Sequence, residues 1–281
     1  MSPPSAFDKR IQAIRQQQQR ELQLKLFPDW PDDRRGAPKT VVRSAIFGVV
    51  RRGRRQRVVE MPVACPVGTT IAVTGWRLDQ HDCDVWLEVM HLARNTTPGT
   101  EVRFTMHSML KRLGLPAEGK EHYDRLKRRL KNLSETTLSY ETPTNEGVAG
   151  ALISDFDIDK ATGEAVVTTN PKIRSLWESV SWLDVEQRRS LGANQLAKAL
   201  HAMLAALPDW PPIRLDTLMQ RVGAEYGRLR AFKSALEAVL DGFKATGWIR
   251  GYTIGKGDGG LVTIDKVPTP TQARALAARP D

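Results

Sequence analysis

The residues of this sequence with the clearest capacity for binding are cationic side chains that recur at helical spacing. In the stretch 117–133, apolar residues recur at i, i+3, i+7 and i+10, which predicts a helix with one buried face. These apolar residues are Tyr123, Leu126, Leu130 and Leu133. The opposite, outer face carries Glu121, Asp124, Arg125, Arg128, Lys131 and Asn132, and Lys120, Lys127 and Arg129 flank it. Because arginine pairs with O6 and N7 of guanine and lysine neutralises phosphate, Arg125 and Arg128 are predicted to contact bases and the lysines the DNA backbone.

The elements around this helix are those that would hold it against DNA. A short strand at Phe104 and Thr105 leads into a helix over 107–113, which Gly114 ends. An alternating strand over 136–142, a turn over 143–147 and a return strand over 148–156 follow the basic helix. Helix, turn, basic helix and hairpin in this order predict a winged helix-turn-helix, a DNA-binding fold.

The same order recurs nearer the C-terminus. A helix around 196–207, a short strand at 213–215 and a short helix over 215–222 precede a longer helix over 228–246. A hairpin over 248–267 follows, and its glycine-rich tip lacks the ending of a P-loop. The predicted DNA contacts in this second unit are Arg228, Arg230, Lys233, Ser234 and Lys256.

An arginine-rich segment precedes both units. Five arginines in the stretch 51–57 surround a single glycine, and their density favours contact with phosphates over a merely solvated loop. They are Arg51, Arg52, Arg54, Arg55 and Arg57.

A charged helix face is often only a solvated face, so one basic helix alone decides little. Two further observations favour nucleic acid. Lys and Arg number 42 against 32 for Asp and Glu, which gives a net charge of +10 and a pI near 9.8. The arrangement also occurs twice, which favours tandem winged helices over two unrelated charged surfaces.

The predicted fold class is therefore α+β, with tandem winged helix-turn-helix domains and a flexible N-terminal tail. The predicted segments are a tail over 1–40, a first winged-helix domain over 41–169, a second over 170–267 and a disordered tail over 268–281. The junction between the domains is placed at Asn170-Pro171.

Several other classes of protein find little support. The two cysteines have no CxxC or histidine spacing, no stretch approaches the length of a membrane span, and the N-terminus lacks an apolar signal core. We expect a bacterial cytoplasmic protein that needs no cofactor or metal and catalyses no reaction. Asp79, Asp82 and Asp84 could be imagined as the metal ligands of a nuclease, but their spacing places them on different faces of one helix. The segment 155–164 fails as an EF-hand because Gly163 comes too late in the loop.

A five-residue motif lies in the N-terminal tail. Gln23-Leu24-Lys25-Leu26-Phe27 resembles the QLxLF motif by which bacterial proteins bind the replicative sliding clamp. Leu24, Leu26 and Phe27 would fill an apolar pocket of the clamp while Gln23 hydrogen-bonds its rim. The alternative is a short amphipathic segment that packs on its own domain.

Longer strings resemble the TrfA family of plasmid replication initiators. They are WPDDRRGAPKTVVRSAIF at 30–47, TGWRLDQHDCDVWLEVMHLAR at 74–94 and TPGTEVRFT at 97–105, together with the second helix-hairpin block, and the likeness extends over roughly 20–267. The resemblance implies binding to direct repeats (iterons) in double-stranded origin DNA, opening of adjacent AT-rich DNA with contact to the single strand, and recruitment of the replicative helicase and sliding clamp. It further implies that the second winged helix reads the major groove while the first adds contacts and mediates homodimer formation. A tandem winged-helix transcriptional regulator is the alternative, and such a protein would need neither a clamp motif nor DNA opening.

Overall fold

A computed structural model describes residues 30–51, 53, 55–65, 68, 70–96, 99–141, 146–257 and 259–277. The strands are β1 Arg34–Pro38, β2 Phe47–Gly48, β3 Arg57–Val63, β4 Thr70–Trp76, β5 Leu78–Asp79, β6 Glu101–Thr105, β7 Thr137–Glu141, β8 Glu146–Ala151, β9 Ile153–Ile158, β10 Glu164–Thr169, β11 Val180–Asp184, β12 Ile213–Arg214, β13 Ile249–Ile254 and β14 Leu261–Lys266. The helices are α1 Lys39–Val42, α2 Gln80–Leu92, α3 Met106–Arg112, α4 Lys120–Ser134, α5 Val185–Ser190, α6 Gln195–Ala206, α7 Leu215–Arg221, α8 Leu229–Ala245 and α9 Pro270–Ala277, with a 3₁₀ segment at Pro171–Glu178. No helix in these ranges is both long and apolar enough to cross a membrane.

Helix α2 is the centre of the first unit, which we define as residues 30–184. The Asp79 carboxylate accepts hydrogen bonds from the backbone N–H groups of His81 and Asp82, and the Asp82 carboxylate accepts one from the N–H of Asp79. This reciprocal capping satisfies backbone donors that the first helical turn would otherwise leave unpaired. Trp86 and Met90 on the same helix are fully buried in the first hydrophobic cluster.

The predicted return strand over 148–156 is wrong, because the structure divides it between two sheets. Strand β8 ends a four-stranded antiparallel sheet of order β3-β4-β7-β8, whereas β9 lies at the edge of a three-stranded sheet of order β6-β10-β9. Gly150 adopts a φ of +77°, and the Asn170 amide donates hydrogen bonds to the carbonyls of Ala149 and Ala151. The left-handed glycine and the side chain bound to its neighbours interrupt regular pairing at this point.

The second unit, residues 195–277, packs α6, α7 and α8 against a three-stranded sheet of order β12-β14-β13. The strand order matches that of β6-β10-β9, with the last strand of each hairpin in the centre. In both sheets the first strand leads directly into the short helix that precedes the longer one. The hairpin equivalent to β13–β14 in the first unit is therefore β9–β10, and not the β7–β8 hairpin that follows α4.

The chain around Trp30–Pro38 is part of the first unit, which corrects the prediction of a flexible tail over 1–40 within the described residues. Strand β1 pairs antiparallel with β11, so that Gly36 lies opposite Trp182. Trp30 is buried, and its ring stacks on that of Trp177 with 6.1 Å between centroids. A local sequence pattern could not predict this segment, because the strand that pairs with β1 and the ring that stacks on Trp30 lie 142–150 residues further along the chain.

Residues 171–184 also belong to the first unit. Ile173, Leu176, Trp177 and Leu183 are buried in the first hydrophobic cluster. The predicted domain boundary at Asn170 is therefore too early, because the first hydrophobic cluster continues to Leu183. Helix α5 then joins the two units, and α6 contributes Ala202 and Ala206 to the first cluster.

The C-terminal segment, expected to be disordered from 268, contains helix α9. Its Gln272 amide nitrogen donates to the backbone carbonyls at the end of α6, at 2.8 Å from Ala205 and 3.1 Å from Leu207. The buried Lys266 ammonium donates to the carbonyls of Leu204 and Leu207. Because the last carbonyls of a helix lack intrahelical partners, these two side chains cap α6 and hold α9 beside it.

Candidate nucleic-acid interface

Helix α4 presents the basic face that its sequence predicts. It begins at Lys120, after Gly119 with a φ of +90°, and not at Ala117 as the sequence suggested. Leu126, Leu130 and Leu133 are buried and Tyr123 is half-buried, which confirms the predicted inner face. Exposed on the outer face are Lys120, Glu121, Asp124, Arg125, Lys127, Arg128 and Lys131. Asn132, predicted to share that face, is instead buried.

Arg125 forms an exposed ion pair on α4. Its guanidinium pairs with the Glu121 carboxylate one helical turn earlier, and both side chains are exposed. An exposed pair of this kind is worth little in water, about 0.3–0.5 kcal/mol, so Arg125 can exchange it for a phosphate or a base. Arg128 and Lys131 complete the row of cations along α4.

Arg55 and Arg129 are bound by two carboxylates at the start of α2. Arg129 lies 3.2 Å from Asp79 and 3.3 Å from Asp82, and Arg55 pairs with the same two carboxylates, at 2.9 Å from Asp82. Burial would raise the pKa of Asp79, but the positive charges of Arg129 and Arg55 outweigh it and lower that pKa. Burial and the adjacent Asp79 together raise the pKa of Asp82 to about 6, against the pull of the same two arginines.

This four-residue network changes the interpretation of two predictions. Arg55, predicted to contact phosphates, is largely enclosed and held by Asp79 and Asp82. Asp79 and Asp82, whose sequence allowed a role as metal ligands, instead fix the basic helix α4 to α2 through Arg129. The described residues include no group of three or more His, Cys, Asp or Glu side chains placed to hold a metal ion.

The remaining arginines of the 51–57 segment differ in accessibility. Arg51 is exposed. Arg57 lies 2.5 Å from Glu135 at the end of α4 and 5.0 Å from the centre of the Trp76 ring, with most of its side chain exposed. Arg52 and Arg54 lie outside the described residues.

The structure brings the arginine segment and α4 to the two sides of one cleft. The cleft has a volume of about 850 Å³, and its walls include Arg51, Arg125, Lys127, Arg128 and Lys131. Sequence reasoning treated these two groups separately, since they are more than 70 residues apart. Cations on both walls of an open cleft create a positive potential that attracts a polyanion.

Helix α8 occupies in the second unit the place of α4 in the first. Its buried face consists of Phe232, Leu236, Val239, Leu240 and Phe243. Arg228, Arg230 and Ser234 are exposed near its N-terminus. Lys233 is half-buried, at 3.9 Å from Glu237.

The tip of the β13–β14 hairpin carries the exposed Lys256. Gly260 packs so tightly against Gly255 that a Cβ atom at Gly260 would lie 2.3 Å from the Gly255 carbonyl oxygen. The glycines therefore allow a narrow tip. The predicted clamp-binding residues Gln23, Leu24, Leu26 and Phe27 lie outside the described residues.

Comparisons with known proteins point to one family. The profile of the family described as TrfA protein matches residues 6–254. Plasmid replication initiator protein TrfA of Escherichia coli is 22% identical over 242 residues, which cover 83% of this chain and 63% of that protein. The chain thus spans less than two thirds of the length of this relative.

Two solved structures share the fold. The crystal structure of Pi initiator protein in complex with iteron DNA has a TM-score of 0.52 at 13% identity, covering 68% of this chain and 94% of that one. The structure of RctB domains 2-3 has a TM-score of 0.51 at 10% identity, covering 82% of this chain and 97% of that one. At these identities the likeness concerns the fold alone.

Proposed function

This chain belongs to the TrfA protein family, and from that premise we propose that it is a plasmid replication initiator that binds iterons at the origin through two winged-helix domains. The observation that carries the proposal is the equivalent placement of α4 and α8. Each is the longer helix that follows a short helix in its unit, and each exposes cationic side chains while its apolar face is buried. In winged helices that position belongs to the helix that enters the major groove.

The division of labour within the interface follows from side-chain chemistry. Arg230 and Ser234 on α8 are exposed, and so is Arg128 on α4. Because a helix holds these side chains in fixed positions, they are suited to contact with base edges. Arg51, Lys127, Lys131 and Lys256 supply charge to phosphates. Arg55 acts indirectly, because its contacts with Asp79 and Asp82 hold the arginine segment close to α4.

Arg230→Ala is expected to relax sequence preference. Loss of a bidentate contact with guanine reduces discrimination by about 1–3 kcal/mol at one or two base positions. Arg51→Ala is expected to weaken binding to all duplexes alike, and to reduce the slope of log K against log salt by about 0.9. The measurement is a set of competition titrations at two salt concentrations, with a duplex that the wild-type chain selects from a random-sequence pool and with single-base variants of it.

Two results would contradict the DNA-binding proposal. If selection from the pool yields no recurring sequence, the proposal that the protein binds iterons is wrong. A loss in Arg230→Ala that is uniform across all duplexes would show that α8 does not read bases. An initiator, unlike a transcriptional regulator, should also make thymines of an adjacent AT-rich segment reactive to permanganate on a supercoiled plasmid.

We further propose that Gln23–Phe27 binds the sliding clamp and that the initiator recruits the replicative helicase. The motif itself supports the clamp contact, together with Pro28, which disfavours helical conformation at Phe27. Leu26→Ala combined with Phe27→Ala is expected to abolish retention on immobilised clamp, because each buried side chain contributes about 1.5–3 kcal/mol. Repeat binding and the melting temperature should stay unchanged.

Leu22→Ala provides the matched control, since it removes a leucine directly before the motif. A clear drop of the melting temperature in the double variant would indicate that Leu26 and Phe27 pack on their own domain. That outcome would refute the clamp proposal even if DNA binding remained intact.

A further inference from the structure

A single carboxylate, Asp84 on α2, is bound by two cations from beyond the first unit. Its Oδ1 atom lies 2.6 Å from Nε of Arg188 on the joining helix α5, and its Oδ2 atom lies 2.6 Å from Nζ of Lys198 on α6. Both cationic side chains are more than 90% buried. One carboxylate oxygen therefore binds the joining helix, and the other binds the second unit.

Hydrogen bonds around this contact fix the geometry of Arg188. Its Nη1 atom donates to the Lys198 carbonyl at 3.1 Å, and its Nη2 atom donates to Oε1 of Gln80 at 3.1 Å. Burial raises the pKa of Asp84, but the charges of Arg188 and Lys198 outweigh it and bring that pKa below its ordinary value. The carboxylate is thus charged at neutral pH, and its removal would leave two buried cations without their anion.

A second attachment joins the first unit to residues 222–225, which follow α7. The N–H of Val49 donates to the carbonyls of Val222 and Gly223, at 3.0 Å and 3.1 Å. The Arg77 guanidinium donates to the carbonyls of Ala45 and Gly223 and lies 3.7 Å from Glu225. These two attachments, together with the burial of Ala202 and Ala206 of α6 in the first cluster, restrict rotation of the second unit.

The first turns of α2 therefore hold α4 directly, and they hold α8 through α6. Asp79 and Asp82 bind Arg129 of α4, and Asp84 binds Lys198 of α6, against which α8 packs within the second core. We propose that Asp84 is a positioning residue that sets the orientation of α8 relative to α4, and so the spacing between the two DNA segments that the protein accepts. The inference rests on the proposed DNA binding, but its structural part can be tested without DNA.

The structural test measures a distance distribution in the free protein. Spin labels are attached to cysteines introduced at the exposed positions Lys127 of α4 and Ala238 of α8, after replacement of Cys65 by Ser. The wild-type chain is expected to give one narrow distribution and Asp84→Asn a clearly broader one. Asp157→Asn is the matched control, because it removes an exposed carboxylate on β9. An unchanged width in Asp84→Asn would overturn the proposal.

The functional test uses the selected duplex and versions with one or two base pairs inserted between the segments that footprinting assigns to α4 and α8. The wild-type chain is expected to lose at least about tenfold in affinity on insertion, which corresponds to about 1.4 kcal/mol. Asp84→Asn should bind the original duplex less tightly, and its loss on insertion should be at most about threefold. An insertion penalty equal to that of the wild-type chain would refute the positioning role.

Lys198→Gln is a milder variant that serves the same test if Asp84→Asn does not fold. It removes one cation and leaves the Asp84–Arg188 pair in place, so a smaller broadening and an intermediate insertion penalty are expected. If no duplex binds with preference, the proposed function fails while the distance measurement still decides the role of Asp84. If duplexes bind but the distributions do not change, only the positioning role fails.

Discussion

Gly75→Ala is expected to lower the free energy of unfolding by about 2–6 kcal/mol, from about 1–3 kcal/mol of backbone strain and about 1–3 kcal/mol of steric overlap. Gly75 has a φ of +129°, a conformation that side-chain-bearing residues rarely adopt. A Cβ atom there would lie 2.3 Å from the Glu135 carbonyl oxygen and 2.7 Å from Cα of Thr136. Both are backbone atoms at the junction of α4 and β7, so neither can move without displacing the end of α4.

The measurement is urea unfolding of the variant beside Gly163→Ala. Gly163 also has a positive φ, +70°, but nothing lies within 4 Å of the position that its Cβ atom would occupy. The control therefore isolates strain, about 1–2 kcal/mol, from overlap. Equal losses in the two variants would show that the approach of β4 to the end of α4 is not tight. Because Glu135 and Thr136 directly follow α4, we also expect Gly75→Ala to weaken DNA binding.

Trp30→Ala is expected to lower the free energy of unfolding by about 3–5 kcal/mol, the usual cost of truncating a buried aromatic side chain. The Trp30 ring lies 5.7 Å from that of Trp182 and 6.1 Å from that of Trp177, between centroids. Its indole N–H donates to Nδ1 of His91 at 2.8 Å. Burial lowers the pKa of His91 to about 4, so at neutral pH the imidazole is uncharged and Nδ1 is free to accept this bond.

Trp30→Phe separates the ring from the hydrogen bond. It keeps most of the aromatic packing and removes the donor to His91, so a smaller loss of about 1–3 kcal/mol is expected. Chemical denaturation followed by circular dichroism measures both variants. A Trp30→Ala chain as stable as the wild type would restore the expectation that the whole segment before residue 40 is a flexible tail.

Local patterns in the sequence determined the helices and their faces. The period of Leu126, Leu130 and Leu133 on α4, and that of Phe232, Leu236 and Leu240 on α8, is a property of neighbouring residues, and the structure buries those side chains. The hairpin β13–β14 was also predictable, since a glycine-rich turn separates its two strands. The duplicated order of elements, and with it the exposed cations of both long helices, follows from these local signals.

Only the tertiary structure decided which segments pair and which charges remain available. Strands β8 and β9 look continuous in sequence, yet their partners, β7 and β10, belong to different sheets. Arg55 lies among other arginines in the sequence, but its ion pairs with Asp79 and Asp82 make it unavailable for phosphate contacts. Trp30 packs against Trp177 and Trp182, which lie about 150 residues later in the sequence. In each case the deciding contact joins residues distant in sequence, and no local period encodes which distant partner a strand, an arginine or an aromatic ring will meet.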